Sequence, residues 1–151
     1  MIKFPLKLVQ SYWRMTRGLT LGAQAAVIDA EGRFLLIQHG YRPGWHFPGG
    51  GVERGETIGV AMARELMEEA GVEALGEPML FGLYDNGAKF PGDHVALFVI
   101  REWRQPVVPK PTAEIRAQGF FAVDRLPEGT ADGTRRRIVE ITTGAKPSAG
   151  W

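Results

Sequence analysis

The sequence predicts one α/β domain, and three observations predict it. Runs rich in β-branched, aromatic and aliphatic residues at 19–29, 33–39, 74–84 and 94–103 flank an amphipathic helical stretch over 56–71. The 151 residues suffice for one hydrophobic core and are too few for two comfortable ones. No internal repeat or low-complexity tract divides the chain. The expected organisation is an amphipathic segment over 1–18, the domain proper over 19–143 and a flexible tail over 144–151.

Within the first segment, Ile2, Leu6, Val9 and Trp13 fall on one helical face with Lys3, Lys7, Gln10 and Arg14 largely opposite. An amphipathic helix is expected, with Pro5 tolerable near its start. Packing on the domain is its favoured role, with a homodimer contact and a membrane surface as alternatives. Residues 19–29 and 33–39 read as strands joined at Ala30, Glu31 and Gly32, a short turn that predicts a hairpin. Residues 40–48 form a loop dense in Gly, Pro and aromatics just before a glycine run, so Arg42, Trp45 and His46 should stand near whatever that run faces. Arg42 and Trp45 are substrate-side candidates; the alternative has Trp45 and Phe47 capping the core and Arg42 solvated.

Gly49, Gly50 and Gly51 read as a turn between strand and helix and permit close backbone approach, which phosphate or metal ligation can exploit. The helix should begin near Glu56 and Thr57, end at Gly71 and bury Ile58, Met62, Leu66 and Ala70 along one stripe. After two further strands, the Pro-rich stretch 104–116 reads as an irregular loop. Residues 119–123 read as a strand, 132–143 as a last helix and 144–151 as an unstructured tail.

Eighteen basic against seventeen acidic residues give a net charge of +1, so nothing global argues for a nucleic-acid partner. With zero cysteines, disulfides, thiolate zinc sites and a cysteine nucleophile are excluded. The N-terminus shows neither an uninterrupted apolar signal core nor a small-residue cleavage site, and a soluble, cytoplasmic protein without a membrane partner is expected.

The acidic residues are unevenly spread: Glu53, Glu56, Glu65, Glu68 and Glu69 all fall within residues 50–72. At 3.6 residues per turn, Glu65, Glu68 and Glu69 share an arc of roughly 100° on the helix. Four positions after Glu65 and Glu68 stand Glu69 and Val72, so the helix is expected to offer the cluster no relieving cation. A hard divalent cation, magnesium or manganese, is the economical relief.

Gly50, Glu56, Arg64-Glu65-Leu66, Glu68-Glu69, Gly71 and Val72 match, without departure, the Nudix box G-x5-E-x7-R-E-U-x-E-E-x-G-U, in which U is aliphatic. The chain thus resembles the Nudix hydrolases over roughly residues 20–143, and Leu126-Pro127 after the 119–123 strand resembles a turn of that family. The resemblance implies an α/β/α sandwich around a mixed β-sheet. It also implies hydrolysis of the pyrophosphate link of a small nucleotide, a nucleoside diphosphate derivative or a nucleoside triphosphate, by water attack on phosphorus. It puts Glu65, Glu68 and Glu69 on metal-ligand positions for Mg2+ or Mn2+, with Glu68 ligand or base. Arg64 becomes an orienting group, and Glu56 and Gly50 supports of the loop–helix geometry. A base is expected from an acid outside the box, for which Asp85, Asp93, Glu102 and Glu114 are the candidates and Glu114 is the best placed, a solvated loop acid being its alternative. Residues marking particular substrate subfamilies would stand near 87–90, where Gly87, Ala88, Lys89 and Phe90 fit neither the Pro nor the Tyr pattern. A non-catalytic nucleotide sensor of the same fold is the alternative.

Overall fold

A computed structural model describes residues 6–151; the expectations for Ile2, Lys3 and Pro5 lie outside the described residues. Among the described residues three α-helices, α1 (Leu6–Thr16), α2 (Ile58–Ala70) and α3 (Asp132–Thr143), accompany nine strands. These are β1 (Thr20–Val27), β2 (Phe34–His39), β3 (Trp45–His46), β4 (Gly49–Gly51), β5 (Glu73–Ala74), β6 (Met79–Asp85), β7 (Asp93–Ile100), β8 (Trp103–Arg104) and β9 (Ile115–Phe121).

The strands form a four-stranded sheet ordered β4-β1-β7-β6, a three-stranded sheet ordered β3-β2-β9 and a β5-β8 ribbon. β1 and β7 run parallel along their whole length, from Thr20 opposite Asp93 to Val27 opposite Ile100. The β1–β4 and β6–β7 pairs are antiparallel, so the larger sheet is mixed. Alternation along the strands sends Ala23, Ala25, Val27, Ala96, Phe98 and Ile100 to one face, where Ala61, Met62, Leu66 and Ala70 of α2 cover them. Ala26, Ile28, Leu97 and Val99 point the other way, onto a core containing Ile138 of α3 with Phe34, Leu36, Phe47 and Tyr84. Helices on both faces of the sheet make the α/β/α sandwich.

Four expectations change. β1 and β2 do not form a hairpin: only Ile28 and Phe34 bridge across their turn, and each strand pairs elsewhere. β2 is as apolar as β7, so apolar character does not choose between them; β1 pairs with β7 along all eight of its residues, while β2 pairs with β3 and β9 in the other sheet. Gly49–Gly51 is an edge strand against β1, not a turn. β9 starts at Ile115, within the stretch expected to be loop, because β2 supplies a full antiparallel partner.

The fourth change concerns 144–151, which lies against the body instead of forming an unstructured tail. Trp151 packs edge-on against Tyr84 with ring centroids 5.4 Å apart, and its N–H donates to Asp85 O at 2.9 Å. On α1, Val9 of the expected apolar face is half-buried and Trp13 exposed, as are Leu8, Tyr12 and Met15 beside them. Among the described residues no helix is long and apolar enough to cross a membrane.

Candidate active site

The rotation of α2 is fixed at both ends. Thr57 Oγ1 accepts from Val60 N at 3.2 Å, and Gly71 takes the left-handed conformation (φ 66°) while its N–H reaches back to Met67 O. With Met62 and Leu66 committed to the core, the Glu65–Glu69 edge is turned toward β4. Close approach there requires glycine: a Cβ on Gly50 would stand 2.5 Å from the carboxyl carbon of Glu65. Gly49 N–H donates to Glu69 Oε2 at 2.8 Å, tying strand to helix.

Arg64 organises the acids around it. Its Nε and Nη2 donate to the two oxygens of Glu56 at 2.6 and 3.0 Å, its Nη1 to Glu65 Oε1 at 2.6 Å and its Nη2 to Gly51 O at 3.1 Å. Its Nη1 also lies 3.5 Å from Glu68 Oε2. The helix therefore does contain a relieving cation, contrary to the sequence expectation, because Arg64 precedes Glu68 by four residues. The bidentate Arg64 contact, aided by Glu53 N–H, lowers the Glu56 carboxyl to about 2.

Arg64 does not reach Glu69. That carboxylate is buried, and burial pushes its pKa up to about 7; Gly49 N–H opposes the rise, while Glu65 and Glu114 add to it. His39, at the end of β2, is buried behind it with Nδ1 3.8 Å from Glu69 Oε1. The pair is not an ion pair, because burial, reinforced by Arg42 and His46, lowers His39 to about 4 and keeps it neutral.

Glu65, Glu68 and Glu69 line a cleft of about 410 Å³ whose remaining wall is residues 108–112 and 114–118, so Glu114 shares it with all three helix acids. Lys110 and Arg116 stand on the same wall. The oxygen donors suit a hard divalent cation, and the raised Glu69 marks a carboxylate whose charge lacks compensation. As placed, the acids do not close on one point: among the described residues no three His, Asp or Glu side chains converge on a metal position.

The substrate-side candidates divide. Trp45 packs edge-on against Phe121 at 5.0 Å within the α3-side core, which is the core-capping alternative, and it does not line the cleft. Arg42 is half-buried and bonded to His39 Nε2 at 2.9 Å, in a shallow depression that meets the cleft at Arg116. Gly49 and Gly50 lie beneath the helix carboxylates, and Gly51 contributes its carbonyl to Arg64. Sequence reading missed His39, Lys110 and Arg116. The first was findable: alternation in β2 puts His39 on the face of Leu35, which looks toward α2.

A family model described as the NUDIX domain matches residues 18–140. The chain belongs to the Nudix hydrolase family. A MutT-like protein of Streptomyces ambofaciens is 27% identical over 128 residues, covering 85% of this chain and 80% of that one. An 8-oxo-dGTP diphosphatase of Proteus vulgaris is 35% identical over 68 residues, 44% of this chain and 58% of its own. Among solved structures, a MutT Nudix hydrolase from Burkholderia pseudomallei superposes with a TM-score of 0.69 at 28% identity, covering 81% of this chain and 97% of that chain. The match runs through the box and β9 and into α3, so it takes in the Glu114 wall of the cleft as well as the α2 wall.

Proposed function

We propose that this Nudix chain is a divalent-metal-dependent pyrophosphohydrolase of a small nucleotide, either a nucleoside diphosphate derivative or a nucleoside triphosphate. One observation carries the reading: four carboxylates, Glu65, Glu68, Glu69 and Glu114, share a cleft with two cations, Lys110 and Arg116. A diphosphate link repels incoming water, so its hydrolysis calls for positive charge at the phosphoryl oxygens and a carboxylate to take the proton of the water.

Glu65 and Glu69 would hold Mg2+ or Mn2+, which when bound supplies charge neutralisation at the phosphoryl group. Arg64, held by Glu56, sets where Glu65 and Glu68 stand. Lys110 and Arg116 would meet phosphate oxygens that the metal leaves free. Glu114 is exposed at the cleft wall, where a side chain can reach solvent water, and it takes the base role, with Glu68 as ligand or alternative base. The Streptococcus suis ADP-ribose pyrophosphatase and the UDP-X diphosphatase share the fold at TM-scores of 0.61 and 0.63. The 8-oxo-dGTP diphosphatase similarity adds a triphosphate to the range to be screened.

The test is a panel of nucleoside triphosphates, nucleotide sugars and dinucleotides with magnesium or manganese, products being identified by mass. Hydrolysis should vanish on thorough chelation and return with the metal. Full activity without metal would overturn the proposal, and tight nucleotide binding with no product would identify a sensor.

A further inference from the structure

Arg42 fixes the proton of His39. The Arg42 Nη2 to His39 Nε2 contact is 2.9 Å, and a guanidinium can only donate, so Nε2 must accept. A neutral imidazole that accepts at Nε2 carries its hydrogen on Nδ1. That Nδ1 is buried, has no hydrogen-bond partner, and is 3.8 Å from Glu69 Oε1. A buried N–H left without a partner is unfavourable, and the acceptor it faces at 3.8 Å needs to come only about 0.6–1.1 Å closer to make a hydrogen bond. Glu69 Oε2 already takes the Gly49 N–H, so the His39 N–H would complete a two-point grip, one donor on each oxygen. Catalytic hydrogen bonds that are long in the free state tighten when the site is loaded.

We propose that His39, with its tautomer set by Arg42, is a positioning residue that orients the Glu69 carboxylate for the metal. Arg42 thereby serves the site from behind instead of touching substrate. The inference rests on Glu69 being a metal ligand, as proposed above.

The measurement is Mn2+ binding to the full chain without nucleotide, read by electron paramagnetic resonance or calorimetry, alongside kcat and KM. His39→Phe keeps ring volume and removes the donor; His39→Asn places an amide N–H near the Nδ1 position. Loss of such an outer partner weakens metal affinity by about 10- to 100-fold. His39→Phe should weaken Mn2+ binding at least fivefold and lower kcat with KM little changed, and His39→Asn should recover to within threefold of wild type. A weakening under fivefold, or no recovery in His39→Asn, overturns the proposal.

If His39→Phe does not fold, 15N NMR of the wild-type ring decides. The Nδ1–H tautomer upholds the proposal, and the Nε2–H tautomer or an imidazolium at neutral pH refutes it. Wild-type protein that binds no Mn2+ would refute the metal role of Glu69 itself and the positioning role with it. Wild-type binding with an unaffected His39→Phe would refute the positioning role alone.

Discussion

Two buried glutamates on opposite faces of the same sheet are treated in opposite ways. Glu140, on α3, receives Arg137 Nη2 at 2.9 Å, Tyr84 OH at 3.0 Å and Ser148 N–H at 3.1 Å. Arg137 is itself fully buried, donates to Gly150 O at 2.8 Å and lies over the Tyr84 ring, 4.4 Å from its centroid. Burial alone would push the Glu140 carboxyl up, yet these donors hold it below its ordinary value. Glu69, on α2, has one backbone N–H and is pushed up to about 7. The chain can satisfy a buried carboxylate when the carboxylate only has to hold structure together. Glu69 it leaves short of partners, and under the proposed function the partner it lacks is a divalent metal ion.

The sharpest way to break the contrast is to remove a cation from the satisfied side. Arg137→Met should cost about 3–5 kcal/mol, because Glu140 would be left buried and uncompensated. A denaturant midpoint shift would show it, while turnover of the folded fraction stays within threefold of wild type. On the short-handed side the pattern should invert. Glu69→Gln should lower kcat by about 10²-fold or more, since losing a ligand exceeds losing an outer partner, while metal-free thermal stability stays level or rises. If that variant unfolds, Glu69 is structural and the contrast fails.

A third test moves to the acid that reaches the cleft from the other wall. Glu114→Gln should lower kcat by about 10²-fold with KM less affected. Asp93→Asn should change turnover little, because both Asp93 oxygens are spent accepting from Thr20 Oγ1 at 2.7 Å and Asn86 Nδ2 at 2.8 Å. A drop of threefold or less in the Glu114 variant would remove it as base.

The smallest effect is a pH dependence at Glu56. Its folded pKa, about 2, lies below the ordinary 4.5, so the Arg64 contact stabilises fully above pH 4.5 and is lost as pH falls toward 2. Glu56→Gln should therefore melt below wild type at pH 6, and the gap should close near pH 2. A gap constant with pH would mean that the contact stabilises through packing alone.

Much of this arrangement was legible in the residues, and the boundary of legibility is physical. The α2 helix, its Thr57 start and its Gly71 stop follow from local chemistry, and Glu65, Glu68 and Glu69 share an edge because helical geometry leaves them nowhere else to go. Glu114 was readable only by its position before an aromatic strand, and its exposed side chain lines the cleft. The glycine run was read as a turn because glycine permits one. What it provides is room for Glu65, which depends on a residue fifteen positions later. The β1–β2 hairpin failed because a short Gly turn signals reversal of the chain without saying whether the two strands then pair. Ser148 and Trp151 were read as part of an unstructured tail, because nothing local announces that Arg137, Tyr84 and Glu140 stand where that tail folds back.

The parallel pairing of β1 with β7 bears on how the molecule comes to exist. Thr20 and Asp93 stand 73 positions apart, and α2 lies between them in the chain. Until that long loop closes, the apolar stripe of α2 has no complete floor, and the glutamates it carries have no fixed bearing on β4. Non-local parallel pairing is slow because the entropy of loop closure must be overcome before any contact repays it. During synthesis, the box leaves the ribosome well before Ile100, the residue that completes its platform. The acidic helix is thus made early and becomes a site late, at the step that joins the two halves of the chain.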